Sequence, residues 1–441
     1  MSTTTLQLHP RYTRSEPQGR IPAGADFPDP ATNRLYPFWR PIIDMQDSEF
    51  AATRLRTIPP VAAWLAEPDA QQPLWFARLN VPGLRHQVIR HSGLRDHDAR
   101  TPQDLKPESR TPAWNTLLAA MADFPRLDAY RRSLVMFLLG QLSYCDAAIR
   151  LAGEVETGAD PAHNRYVYQV ARVHGRRPGH QPVVLPLFHQ LAKQTADPQL
   201  ALLAAFQGIS HAVRKDRDLE TAQRFEELGT AVPDLPDDWH TALVRSRFHR
   251  SLALLRMHQR RHDDMRREMA AAFQAHTEAS RGDFGAIDQM VIAENRRILL
   301  ESRINAAARA RGAESAEEIA EDCEEILSLD PHCALVRLAA GDGYAAAGWY
   351  ESAARWFSRA GELGTGAGAI GWYRAGQCYD FLGDRGSALD AMGRCLELDA
   401  SAVEPRRYLA EAANATTATT LTALTTATTA MATTAATVAA S

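Results

Sequence analysis

The sequence predicts an all-α protein assembled from stacked helical hairpins, and three observations carry that prediction. Residues 335–363 match the stretch that follows them at an offset of 35, so that Gly341 falls on Gly376 and Ala353 on Ala388. From about residue 125 onward, apolar residues recur at spacings of three and four between short polar connectors, the pattern of helices buried on one side. Turn signals at Pro161, Pro198, Pro233, Pro331 and Ala400 lie 37, 35, 98 and 69 residues apart, near one, one, three and two lengths of the same unit.

Taken in order, the first hundred residues differ from the rest. "RIPAGADFPDPATNRLYPFWRPII" is rich in proline and aromatics, with Tyr36, Phe38 and Trp39 close together, and reads as an extended segment. "FAATRLRTI" and "PVAAWLA" read as short helices, and "LWFARLN" with "LRHQVIR" around "VPG" as a hairpin. Residues 1–110 are therefore set apart as an N-terminal cap. A polar, proline-rich linker, "DHDARTPQDLKPESRTPAW", leads into helices at "WNTLLAAMA" and "LDAYRRSLVMFLLGQLSY". Further helices follow at "LALLAAFQGISHAVR", "LETAQRFEELGTA", "HTALVRSRFHRSLALLRMH", "DMRREMAAAFQAHTEA" and "AIDQMVIAENRRILLESRINAAARA", separated by connectors such as "KDRD" and "QRRHDD". Residues 111–300 thus form degenerate helical repeats. Residues 301–414 hold the clearer repeats and a polar closing helix, "EPRRYLAEAANA".

Within 334–400 the match between units is detailed. Tyr344 falls on Tyr379, Phe357 on Met392 and Ala360 on Cys395, and the second unit carries Trp372, Ala375, Gly376, Tyr379 and Ala388. This resembles the tetratricopeptide pattern, W-x2-L-G-x2-Y followed by A-x3-F with a period near 34 residues. The first unit lacks the Trp and Leu of that pattern. Two helix axes approach closely only where small side chains lie between them, so Gly341 with Ala353, and Gly376 with Ala388, mark the crossings. The resemblance implies a right-handed α-solenoid over 125–414, in which about three or more units bury one another's apolar faces. It also implies a concave groove lined by the first helix of each hairpin. Leu338, Asp342 and Ala346 would stand there in one repeat, and Tyr373, Gln377 and Asp380 in the next. Some family members clamp a peptide carboxylate with Lys, Arg and Asn at such positions. Those residue types are missing here, which favours an extended or helical peptide lying across Tyr373 and its polar neighbours.

Motifs of catalysis are scarce. There is no P-loop, dinucleotide glycine fingerprint, nucleophile elbow or kinase signature. "GTGAGAIG" at 364–371 lies between two repeat helices and reads as an accommodating turn. His86, His91, Asp96, His97 and Asp98 are dense in metal-ligand types, but a separation of five suits neither one strand face nor one helix face. His258 and His262 have the four-residue helical spacing, yet "QRRHDD" looks like the turn between two helices. No metal or cofactor is expected. Cys145, Cys323, Cys333, Cys378 and Cys395 are odd in number and scattered, which excludes a disulfide framework and points to reduced, packed thiols. Basic stretches at 172–182 and 258–268 read as solvated faces.

A formal net charge of −4 with well-mixed signs argues against phosphate-driven nucleic-acid binding. The beginning of the chain lacks a secretory apolar core, and no stretch approaches the ~18–20 apolar residues of a membrane span, so the expected location is the cytoplasm. Residues 415–441 form a Thr/Ala ribbon without charge, Pro or Gly, expected to be disordered. It serves either as a spacer or as a substrate for modification, with Thr416, Thr417, Thr419, Thr420, Thr425 and Thr426 as the accessible hydroxyls. The function expected is a non-catalytic scaffold for a protein or peptide partner, contacted through Leu338, Asp342, Tyr373, Gln377 and Asp380. The alternatives are a peptide-sensing regulator, or an accessory protein or enzyme of peptide modification acting on its own tail.

Overall fold

The computed structural model describes residues 101–414, apart from short stretches at 105–106, 108–111, 142–143, 178, 285, 311–315, 330–333 and 363–365. The expected cap, the Thr/Ala tail and the His86–Asp98 group lie outside the described residues, save for Thr101–Asp104 and Pro107 of the cap. Among the described residues the regular structure is helical throughout, with no strand. The described part of the chain is all-α, as the periodicity predicts.

The helices run α1 Pro112–Ala122, α2 Ala129–Gln141, α3 Cys145–Ala152, α4 Pro161–His174, α5 Gln181–Gln194, α6 Pro198–His211, α7 Leu219–Thr230 and α8 Trp239–His258. They continue with α9 His262–Ala279, α10 Ala286–Ala310, α11 Ala316–Leu329, α12 Ala334–Ala346, α13 Tyr350–Glu362, α14 Gly366–Phe381 and α15 Arg385–Leu398. A last helix, α16, spans 403–414. From α4 to α15 they pair as α4/α5, α6/α7, α8/α9, α10/α11, α12/α13 and α14/α15. The second helix of each pair also packs on the first helix of the next, and α6, α8, α10, α12 and α14 touch their neighbours in that series directly.

Local chemistry sets the helix starts. Asp160, Asp197, Asp218, Asp238 and Asp384 each accept hydrogen bonds from backbone N–H groups of the first turn that follows. Such caps contribute ~1 kcal/mol each. Pro161 and Pro198 occupy the first helical position, where a missing N–H costs nothing. The prolines read as closing one hairpin therefore open the next. "LDAYRRSLVMFLLGQLSY" holds one helix, α2, which stops at Gln141, and α3 starts just beyond the stretch, after Tyr144.

Small residues set how closely the hairpins close. A Cβ on Gly341 would lie under 3.0 Å from ring atoms of Phe357, one on Gly376 would meet Met392, and one on Gly208 would meet Phe225. Glycine is the side-chain solution to each crossing. The glycines at 366–371 are likewise not a turn but the first turns of α14. A Cβ on Gly371 would sit 2.6 Å from the Phe357 carbonyl oxygen and 2.9 Å from the Gly361 nitrogen, so these glycines let α14 lie directly on the backbone of α13.

One apolar core runs the length of the stack from Leu117 to Ala402. A smaller cluster, including Ala253, Met265, Met269, Leu299 and Ala306, lies between α8, α9 and α10. No helix among the described residues is long and apolar enough to cross a membrane.

Candidate functional site

Of the residues expected to line a partner groove, Leu338 and Tyr373 are buried, Asp342 and Gln377 are half-buried, and Asp380 is exposed. Leu338 is buried, and Tyr373 is 5% exposed, with its hydroxyl accepting a 3.2 Å hydrogen bond from the Gln377 amide. Asp342 is half-buried and takes 2.5 and 2.6 Å hydrogen bonds from Arg374, tying α12 to α14. Burial pushes the Asp342 carboxyl up, and the Arg374 guanidinium partly offsets this. Asp380 is exposed and accepts the Tyr408 hydroxyl of α16, while the Tyr408 hydroxyl is pushed up to about 12 by burial and by that carboxylate. The structure thus joins Asp342 to Arg374 and Tyr373 to Gln377 as rungs between or along first helices. It leaves little of Leu338 or Tyr373 for a ligand to touch.

A groove of about 730 Å³ opens instead between the C-terminal halves of α8 and α10, bordered by the segment that follows α6. Its lining carries Arg214, Arg217, Arg250 and Arg297 with His258, against the single carboxylate of Glu301. Leu254, Met257, Met269 and Ile298 supply apolar surface. The polar helix residues that remain are committed: the Ser302 hydroxyl donates 2.7 Å to the Ile298 carbonyl, and the Asn305 amide donates 2.8 Å to the Glu301 carbonyl.

Each cation is positioned by its element. Arg297 is 8% exposed and held on α10 by Glu301 at 3.2 Å, with Glu294 at 3.9 Å on the other side. Arg250 lies over the Phe206 ring, 5.7 Å from its centroid, within reach of a cation–π attraction. Arg214 lies in a π turn, Ala212–Asp216, that prolongs α6, and Arg217 directly follows it. The turn is closed by the Asp218 N–H donating 3.0 Å to the Ala212 carbonyl, with Arg217 in the left-handed region at φ 54°. Positive charge here is felt by the neighbouring imidazole: burial pushes His211 down to about 4, with Lys215, Arg214 and Arg172 adding to the shift.

The π turn has a sequence origin. Gly208 and Phe225 are 17 positions apart, whereas the corresponding contacts Gly341–Phe357 and Gly376–Met392 span 16. One extra residue between the two helices of that hairpin is taken up as the wider π turn, a device often found at functional sites. Sequence reasoning missed the groove because its arginines are scattered over three helices. The displaced Gly208–Phe225 spacing was the available signal.

Beneath the groove, a buried polar network joins α8, α9 and α10. Arg247 donates 3.3 Å to Asn295, whose amide reaches Ser246 at 3.0 Å and His276 at 3.3 Å. His276 is 6% exposed and is pushed down to about 4, chiefly by burial and secondly by Arg296. The His258–His262 pair is split between the last residue of α8 and the first of α9. The basic stretches are largely paired within the chain: Arg177 meets Asp146 at 2.9 Å, and Arg266 meets Asp263 at 2.5 Å. No protein-family model matches the chain, and no curated protein matches it.

Proposed function

We propose that the chain is a non-catalytic scaffold that binds a protein or peptide partner, built as an α-solenoid of tetratricopeptide type with the α8/α10 groove as its docking site. The observation that carries this reading is the groove itself, formed where consecutive first helices lie side by side, ligand-sized against the ~300–1,000 Å³ typical of binding clefts. The repeated glycine-against-large-residue contact, at Gly208, Gly341 and Gly376, supports the solenoid. The lining offers cations and apolar surface but no hydroxyl or thiol set against a general base, which suits holding a chain better than cleaving one.

Site-specific photo-crosslinking in the native host tests it. A crosslinker placed at Arg217 or Ser302 should capture one discrete protein or peptide. The same group at Glu351, exposed on the opposite member of a hairpin in α13, should not. Equal capture from all three positions, or none, refutes the reading.

A further inference from the structure

We infer that His174 and His180 form an acid-opened latch on the connection between α4 and α5, closed by a hydrogen bond between their Nδ1 atoms that one proton makes and a second breaks. The two atoms lie 2.9 Å apart, with the ring centroids at 5.1 Å. His174 is the last residue of α4 and is 9% exposed, while His180 is the N-cap of α5 and half-buried, within reach of solvent. In such a contact one Nδ1 carries the proton and the other accepts it. An imidazolium is protonated on both nitrogens and cannot accept, so the pair keeps its bond with one positive charge at most. A second proton sets two N–H groups and two like charges against each other.

The surroundings do not stabilise that second charge. Burial pushes His174 below its ordinary range, and the positive charge of His180 pushes it further. The other neighbours are cationic too: Arg172 on α4, Arg176 and Arg177 in the connection, and His211 on α6, with Arg214 and Lys215 just beyond it. Arg176 donates to the Gly140 carbonyl of α2, where residues 133–141 carry no charged side chain. Asp146 of α3 is bound by Arg177 at 2.9 Å. On α5, His189 lies against the Phe225 ring at 6.0 Å and Lys193 stands near the far end.

The backbone suits a latch. Gly175 and Gly179 bracket the connection, and Gly179 holds φ 79°, open to glycine without steric cost. A Cβ on Gly175 would lie 2.6 Å from the His211 ring, so the closed connection rests directly on that imidazole. The π turn begins at the next residue. The latch therefore seats the turn at the groove's border, whatever the groove holds.

A metal ion shared by the two imidazoles is the competing reading. Zinc sites draw three or four ligands from the protein, and among the described residues no group of three or more His, Cys, Asp or Glu is placed to hold a metal. The shared proton is favoured.

The test is amide exchange on the full chain from pH 7.5 to 5, each rate divided by the intrinsic rate at that pH. The reporters are the Arg177 N–H, which donates 2.9 Å to the His174 carbonyl, the Val183 and Val184 N–H groups, which donate 3.0 and 3.2 Å to the His180 carbonyl, and the Asp218 N–H that closes the π turn. Because His174 is pushed down when closed, the open form takes up the proton first, so the latch is firm above pH 6.5. Below that, protection at all four amides should fall, by at most about tenfold per pH unit for each proton taken up. The Ala388 N–H, bonded at 3.0 Å to the Asp384 carbonyl in the last hairpin, should not follow. His180→Ala should lose the protection already at pH 7.5. His180→Asn still caps α5 and sets an amide near the place of Nδ1, whose carbonyl accepts from an imidazolium, so protection should persist with little change down to pH 5. Constant protection in the natural chain, an unaltered slope in His180→Asn, or a parallel loss at Ala388 overturns the latch. So does protection that EDTA removes at pH 7.5, the mark of a shared metal. Loss at Arg177, Val183 and Val184 with none at Asp218 overturns the seating of the π turn.

Discussion

Alanine at Gly208 and alanine at Gly393 make the same chemical change in the middle of two helices, and the structure predicts opposite outcomes. A Cβ on Gly208 would fall under 3.0 Å from three ring atoms of Phe225, which is 1% exposed and has no space into which to retreat. Non-bonded carbons rest at ~3.5–4.0 Å, so α6 and α7 must separate or Phe225 must leave its rotamer, at a cost of ~1–3 kcal/mol. Against this stands the gain of ~0.8–1 kcal/mol from replacing glycine in a helix interior. G208A should therefore be destabilised by about 1 kcal/mol, and by as much as 2 kcal/mol if the hairpin cannot relax. A Cβ on Gly393 meets nothing within 4 Å, so G393A should gain most of the propensity term. The unfolded-chain entropy change is common to both variants, so their difference isolates the clash. Urea unfolding followed by circular dichroism gives the sign. Amide exchange localises it, because segments of a folded chain open locally with different free energies. Equal stability of G208A and G393A would refute the close crossing of α6 and α7. Adding Phe225→Leu to G208A should recover part of the loss.

Three further outcomes are expected. His276 is pushed down to about 4 in the folded chain, from an ordinary 6.5, so the unfolded chain takes up the proton first. Its contribution is intact above pH 6.5 and falls as pH drops towards 4, by at most ~1.4 kcal/mol per unit; thermal melts from pH 7 to 4.5 should show this fall, and His276→Gln should make it shallower, with His211, also pushed down to about 4, supplying part of the slope that remains. Burial pushes the Cys378 thiol up to about 12 and raises Cys323 further, so peptide mapping after iodoacetamide should find both unmodified in the native chain and labelled in urea. Labelling of native Cys378 would contradict its burial. Tyr373→Ala should lower stability by ~3 kcal/mol, the cost of emptying a buried aromatic site, without selectively weakening partner capture at the α8/α10 groove.

What the sequence made legible follows from which interactions are periodic. Gly341, Ala353, Gly376 and Ala388 mark contacts that recur with the repeat, so the α12–α15 hairpins and their crossings can be read from spacing alone. The α10 boundaries at Ala286 and Ala310 also fall where the apolar pattern places them. Residues 161–194 were harder, because Pro186 sits inside α5 at a surface position where its missing N–H and fixed φ look like a stop. The glycines of α14 misled for the opposite reason: turn chemistry and close backbone packing ask for the same residue, and only the neighbouring chain distinguishes them. Tyr373 and Leu338 were read as groove residues from their place on a first helix. In the structure their side chains are buried among neighbouring helices, and the spacing of apolar residues alone does not say which neighbour covers a given face.

The groove was illegible because it depends on a break in the pattern. A single added residue shifts Phe225 out of register with Gly208, and the repeat template then discards the hairpin as degenerate. Folding absorbs that residue as a π turn rather than a looped-out bulge, since Gly208–Phe225 packing on one side and the Asp218 cap on the other hold both ends in place. The residue at the junction takes a left-handed conformation, as Arg260, Gly348 and Gly383 do beyond α8, α12 and α14, and here it is Arg217. Local preference and tertiary placement disagree there, and such disagreements concentrate at functional sites. The consequence is a trade: Arg217→Asn, a residue that tolerates φ near 54°, should raise stability by up to ~1 kcal/mol while weakening partner binding, read as crosslinked capture at Ser302. If Arg217→Asn left binding unchanged, the strained cation would be an accident of the insertion. If it lowered stability, Arg217 would be holding the turn rather than the ligand.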